Sequence, residues 1–240
     1  MRAMTFCLIA LLIAGSASAS VYTGSLTYSP PYPAGSSDGL FVGPSDLQWA
    51  TYNVTISWEV TDEDANAPAA FPWKYTYTFG HDGPQAAISH IIIESSPTFD
   101  ESNLVGLTGA SLDNVGAQTV LAGNPNMPEA LTGLRFDPLT ESPTSMTWSF
   151  YSDRDPVWGD FYARCGGRMG GINFAYNFND DGLGNVNGFT VNDVDPLLAA
   201  QSGSVDFHIL RPDTLGSIPE PATLAMLMLA GGYALARRRR

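Results

Sequence analysis

The chain has 240 residues and a formal net charge of −13 at pH 7, from 11 basic and 24 acidic side chains. That balance excludes nucleic acid and anionic lipid as partners attracted by charge. Only two cysteines are present, and Cys7 falls in a leader segment, so an internal disulfide framework is excluded and stability has to come from core burial.

Residues 1–19 have the form of a secretory signal peptide. Arg2 supplies the positive start, Met4 to Ala14 form a short apolar run, and Ala17-Ser18-Ala19 has the small-x-small form that a signal peptidase cuts. Cleavage after Ala19 makes Ser20 the first mature residue. Cys7 lies inside the apolar run with no lipobox ahead of it, so a lipoprotein is not expected. Of the 11 basic residues, Arg2 and the four terminal arginines lie in terminal segments, leaving 6; of the 24 acidic residues only Glu220 does, leaving 23. The body, residues 20–216, therefore carries about −17, which suits cations or a soluble surface.

The body reads as nearly all β. Val21–Tyr28 is the first strand candidate. In Tyr52–Val60 the residues Tyr52, Val54, Ile56, Trp58 and Val60 alternate without a break with Asn53, Thr55, Ser57 and Glu59, which predicts one buried and one wet face. Trp73, Tyr75, Tyr77 and Phe79 alternate in the same way, and the Asp-, Ala- and Pro-rich stretch Thr61–Pro72 between the two runs predicts a hairpin. Further strands are expected at Ala87–Glu94, Gln118–Ala122, Leu131–Phe136, Ser145–Ser152, Gly159–Ala163, Ile172–Asn177 and Val205–Leu210. With 24 Gly and 17 Pro, long helices are not expected, although Pro196–Gln201 allows a short helical turn. The expectation is all-β: a single antiparallel β-sandwich, compatible with a jelly roll, flanked by the signal peptide and an apolar tail helix.

Candidate chemistry is sparse, and no catalytic residue is assigned. The three histidines, His81, His90 and His208, form no HExxH and no His-x-His pair. Cys165 would need a histidine partner to act as a nucleophile. Asp153, Asp155 and Asp160 stand among Trp148, Tyr151, Trp158 and Tyr162, a pattern that fits either a sugar-contacting surface or an aromatic core strand; paired carboxylates of this kind keep a secreted carbohydrate-active enzyme as the alternative reading. Asn177, Asn179 and Asp181 begin an oxygen-ligand loop ending in Gly182 and are the calcium candidates, with Asp193 and Asp195 as further charge. The pattern breaks at Gly188, where a bidentate acid is needed, so no firm cofactor is assigned and a calcium-stabilised binding module stands as a further alternative.

The tail, residues 217–240, has three parts. Pro219-Glu220-Pro221 is followed by an apolar run from Ala222 to Ala236, then Arg237, Arg238, Arg239 and Arg240. At about 1.5 Å per residue the run covers roughly 22 Å, short of the roughly 30 Å of bilayer hydrocarbon. The arginine cluster is expected to stop transfer and stay cytoplasmic, with the body outside. Such a span suits transient membrane insertion better than a lasting anchor.

Pro219-Glu220-Pro221, the apolar run and the terminal arginines together resemble the PEP-CTERM sorting tail. The resemblance covers about the last 23 residues. It implies a partner, an exosortase-like membrane enzyme, and localisation at the cell surface or outside it, in a bacterium that makes extracellular polysaccharide. Ser145–Cys165, Ile88-Ser89-His90-Ile91 and His208–Thr214 also resemble regions of other PEP-CTERM proteins, a group with no established activity for the body. The expected function is that of an exported surface or extracellular-matrix protein, non-enzymatic, structural or adhesive, and in contact with polysaccharide.

Overall fold

The computed structural model describes residues 20–30, 39–44, 47–120, 123–166, 171–178, 189 and 195–213. Ala17, Ala19, Pro219, Glu220, Pro221 and Arg237 to Arg240 lie outside the described residues, as does the expected tail helix. Thirteen strands occur among the described residues. They are β1 (Val21–Tyr28), β2 (Leu40–Gly43), β3 (Val54–Thr61), β4 (Trp73–His81), β5 (Ile88–Glu94), β6 (Leu104–Thr108) and β7 (Ala110–Gln118). After them come β8 (Leu131–Pro138), β9 (Ser145–Ser152), β10 (Asp155–Gly159), β11 (Phe161–Cys165), β12 (Phe174–Asn177) and β13 (Ile209–Asp213). Two short 3-10 turns, at Gln48–Thr51 and Glu101–Asn103, complete the elements. The all-β expectation holds.

Period-two alternation builds the first sheet, ordered β1-β3-β4-β9-β6. The expected hairpin is β3 with β4, in a register that sets Ile56 opposite Phe79, Trp58 opposite Tyr77 and Val60 opposite Tyr75. All the apolar members therefore point to one face. β9 continues it, with Tyr77 opposite Trp148 and Tyr75 opposite Phe150. The second sheet runs β2-β12-β11-β5-β8-β7, and β10 pairs with β13 as a separate two-stranded ribbon.

The two sheets meet across aromatic rings. Phe136 of β8 lies 5.5 Å from Trp148 of β9, and Phe79 of β4 lies 6.3 Å from Phe161 of β11. Each such ring taken from water contributes about 1.5–3 kcal/mol, with a further fraction from ring geometry. The buried phenols find acceptors: Tyr77 donates to the Leu210 carbonyl at 2.8 Å and Tyr75 to the Arg154 carbonyl at 2.8 Å. The Tyr77 bond ties β13 to the first sheet. The second sheet is buried on its other face as well, where Ile92, Met127, Tyr162, Phe174, Tyr176, Phe178 and Phe189 form a smaller apolar cluster.

Two expected elements are corrected. Gln118 ends β7 rather than opening a strand, and Thr119 and Val120 turn away with their side chains exposed. Pro196–Gln201 contains no helical turn; Leu197 and Leu198 point to solvent there, 91% and 58% exposed, and Ala200 is its apolar contact with the core.

Candidate functional site

The densest chemistry gathers where β5 ends and β10 passes into β11, beside β13. Arg211 projects from β13 and is buried. Its Nε lies 3.3 Å from Glu94 Oε2 and its Nη1 lies 3.2 Å from Asp213 Oδ2, while Nη2 donates to Asp195. Asp160 follows β10: its N–H donates to Glu94 at 2.8 Å, and its carboxylate accepts from Asn177 Nδ2 at 2.6 Å. His208 precedes β13. Its Nδ1 donates to the Val205 carbonyl at 3.1 Å, which turns Nε2 toward Asp160 at 3.8 Å and Asp195 at 4.0 Å.

Space for the guanidinium is provided by Gly159. A Cβ there would fall 1.9 Å from Arg211 Nε and 2.6 Å from Glu94 Oε2. Any side chain at that position displaces the arginine from its carboxylates, so the glycine is set by close approach.

The electrostatics follow from burial. Removal from water pushes the Glu94 carboxyl up to about 7; Arg211 opposes that rise, and Asp195 reinforces it. Burial disfavours the charge on Arg211, but Glu94, Asp195 and Asp213 outweigh that cost and raise its pKa. Among the described residues, Glu94, Asp160 and Asp195 are the group with three metal-capable side chains, their ligand atoms within 4.8 Å of one another. Arg211 already meets much of their demand for positive charge, so the arrangement reads first as an ion network holding β13 in place.

Of the sequence-selected residues, Asp160, Asn177, Asp195 and His208 come together here and the others are dispersed. Asn177 is fully buried, its Oδ1 accepting from the Phe161 N–H at 2.9 Å and its Nδ2 committed to Asp160. Asn179, Asp181 and Asp193 lie outside the described residues. Cys165 is buried, and its sulfur accepts from Asn173 N at 3.1 Å and Nδ2 at 3.3 Å. His81 and His90 are also buried, on β4 and β5. Trp148, Trp158 and Tyr162 are buried, so they are core rather than a sugar-stacking surface. Tyr151 alone of that set is half-buried, with the Lys74 amine 5.7 Å from its ring. The residues missed by sequence reasoning are Glu94, Arg211 and Asp213. The expected closing strand Val205–Leu210 stops one residue short of Arg211, and the structure shifts that strand to Ile209–Asp213; a strand buried on both faces must pair any charge it carries.

A second surface stands out for its uniform chemistry. The outer face of the first sheet is a hydroxyl array: Thr78 Oγ1 lies 2.9 Å from Thr147 Oγ1, Thr108 Oγ1 lies 3.0 Å from Ser149 Oγ, and Thr55 donates to Thr27 at 3.4 Å. Depressions on it are lined by Thr23, Ser25, Ser57, Glu59, Thr76 and Thr78, and beside them by Asn53, Thr55, Asp82 and Ser145. None of the Arg211 network borders either.

No family model matches the sequence, and no curated protein matches it. A solved structure titled "pH-induced modulation of Streptococcus parasanguinis adhesion by Fap1 fimbriae" aligns over 74% of this chain and 98% of that one, at 12% identity and a TM-score of 0.27. A likeness at that score carries no argument about this chain.

Proposed function

We propose that the chain is an exported, non-enzymatic surface protein that contacts extracellular polysaccharide through the outer face of its first sheet. The hydroxyl array between β1, β3 and β4 carries this reading. Its donors and acceptors are fixed on a rigid sheet, they match the hydroxyls of a sugar chain, and few charges interrupt them. The carboxylates considered for a hydrolase take separate partners: Asp153 lies 3.5 Å from Arg154 Nε, Asp155 accepts from Trp73 Nε1 at 2.8 Å and Asp160 accepts from Asn177 Nδ2 at 2.6 Å, which supports binding over catalysis. Replacing Thr76 and Thr78 by valine keeps strand propensity and removes two hydroxyls. Binding of the exported protein to its host's extracellular polysaccharide, read by affinity electrophoresis, is expected to weaken about tenfold with an unchanged melting temperature. Equal retention of the variant and the parent sinks the surface assignment.

The sorting route is part of the same proposal. Exosortase-type processing at Pro219-Glu220-Pro221, with Arg237 to Arg240 holding the tail in the membrane, delivers the body to the exterior. Replacing Glu220 with alanine is expected to leave the host protein at its unprocessed mass in the membrane fraction; processing at the parental rate counts against the route.

A further inference from the structure

Cleavage after Ala19 would make Ser20 the first mature residue. The β1–β3 ladder runs from Tyr28 opposite Val54 to Val21 opposite Thr61. One step further, Ser20 meets Asp62. The Asp62 N–H donates to the Ser20 carbonyl at 3.3 Å, and the Ser20 nitrogen donates to Asp62 Oδ1 at 2.6 Å. Both residues are half-buried. Three acids stand in sequence here, Asp62, Glu63 and Asp64, and Lys74 pairs with Asp64 at 2.6 Å. Among the described residues, no lysine or arginine pairs with Asp62.

We infer that signal cleavage turns Ser20 into a structural group: its new α-ammonium docks on Asp62 and pins the edge strand β1. This rests on the export reading of residues 1–19. Hydrolysis breaks the Ala19–Ser20 C–N bond; water gives its hydroxyl to the Ala19 carbonyl and a proton to the Ser20 nitrogen, which takes a second proton from solvent at neutral pH. The single peptide donor becomes a three-donor cation at the same place. The peptide N–H already makes a charge-assisted bond to the carboxylate, and cleavage adds an opposite charge to it, an ion pair worth up to about 1 kcal/mol where partly exposed. Among the described residues, β3 is the strand that pairs along the length of β1, and the far edge is met by an isolated bridge from Thr27 to Gly39 and by loop contacts, Gly203 N–H donating to the Thr23 carbonyl at 2.7 Å. Fixing the start of an exposed edge strand keeps it from fraying and from pairing with other chains. Maturation would thus lock the strand only after export.

The test uses the full chain secreted by its host. N-terminal sequencing is expected to begin at Ser20. Acylation of that amine by a small reagent at pH 7.5, followed by mass spectrometry, is expected to run about three- to fivefold slower than in Asp62→Asn, as a partly exposed ion pair allows. A chain with one alanine inserted before Ser20 moves the amine out of register and should label at the fast rate too. Sequencing of the parent that starts at Ser20, with equal labelling rates in the three chains, overturns the ammonium contact and leaves the export reading intact. A start at another residue overturns both.

Discussion

Acidification from pH 6.5 to pH 4 is expected to remove about 3 kcal/mol of stability through His90 alone. The ring is 1% exposed on β5. Its Nε2 donates to Asn124 Oδ1 at 2.8 Å; that oxygen is identified because Asn124 Nδ2 donates to the Thr119 carbonyl at 3.0 Å. Desolvation by burial pushes the imidazole down to about 3, reinforced by Arg135, while Asn124 opposes the shift and Arg164 adds to it. Arg164 stands directly opposite on β11, and Arg135 lies on β8 opposite Ile92. An imidazolium there would be a cation between two guanidinium groups with the Tyr162 ring at 6.2 Å. The unfolded chain binds a proton near pH 6.5 and the folded one does not until about pH 3. Stability is thus present above pH 6.5 and lost as pH falls toward 3. Denaturant midpoints of the parent and His90→Gln across this range check it. Glutamine can still donate to Asn124, and its acid limb should be flatter by about that amount. Parallel curves for the two proteins reject the assignment.

The sequence disclosed those parts of the fold that alternate. β1 and β9 stand where the pattern placed them, because Leu26, Tyr28, Met146, Trp148 and Phe150 occupy one face and hydroxyl residues the other. The same hydroxyls make the outer surface, so the proposed binding face was already present in the Thr and Ser positions of Tyr52–Val60 and its partner. β6 and β7 escaped notice because they are edge strands. Ser111, Asp113 and Asn114 are exposed, both strands carry register shifts, and Gly109 joins them at φ +79° with a Cβ position 2.1 Å from the Thr147 carbonyl oxygen. An edge strand with little to bury leaves little pattern. β10 was hidden by Pro156, which a two-stranded ribbon tolerates and a central strand does not. The Arg211 network was illegible for another reason. Its members come from a strand end, a strand junction, a loop and the closing strand, and only the packing of β13 between them makes one site of the four.

That network sets the largest effect expected of a single substitution. Arg211→Met keeps the length of the side chain and removes the charge that Glu94, Asp195 and Asp213 share. Breaking a buried pair by deleting one partner costs about 3–5 kcal/mol, because the remaining charge stays desolvated. That loss is expected at pH 8. It should shrink at pH 5, and the sign follows from Glu94. Its carboxyl titrates at about 7 in the folded protein and at about 4.5 when unfolded, so the folded chain holds the proton more tightly. The stability this contributes is complete below about pH 4.5 and disappears as pH rises through 7. At pH 5 Glu94 is already neutral, and the arginine leaves fewer charges behind when it is removed. Glu94→Gln takes the same relief at every pH and can keep an acceptor for the Asp160 N–H. The double variant Arg211→Met, Glu94→Gln should therefore recover about 2 kcal/mol at pH 8 relative to the sum of the single changes. Urea unfolding of the four proteins at pH 5 and pH 8 checks it. A cost under about 1 kcal/mol for Arg211→Met at both values means that β13 is held by Ile209, Leu210 and the Tyr77 hydroxyl instead, and the charges only follow the packing.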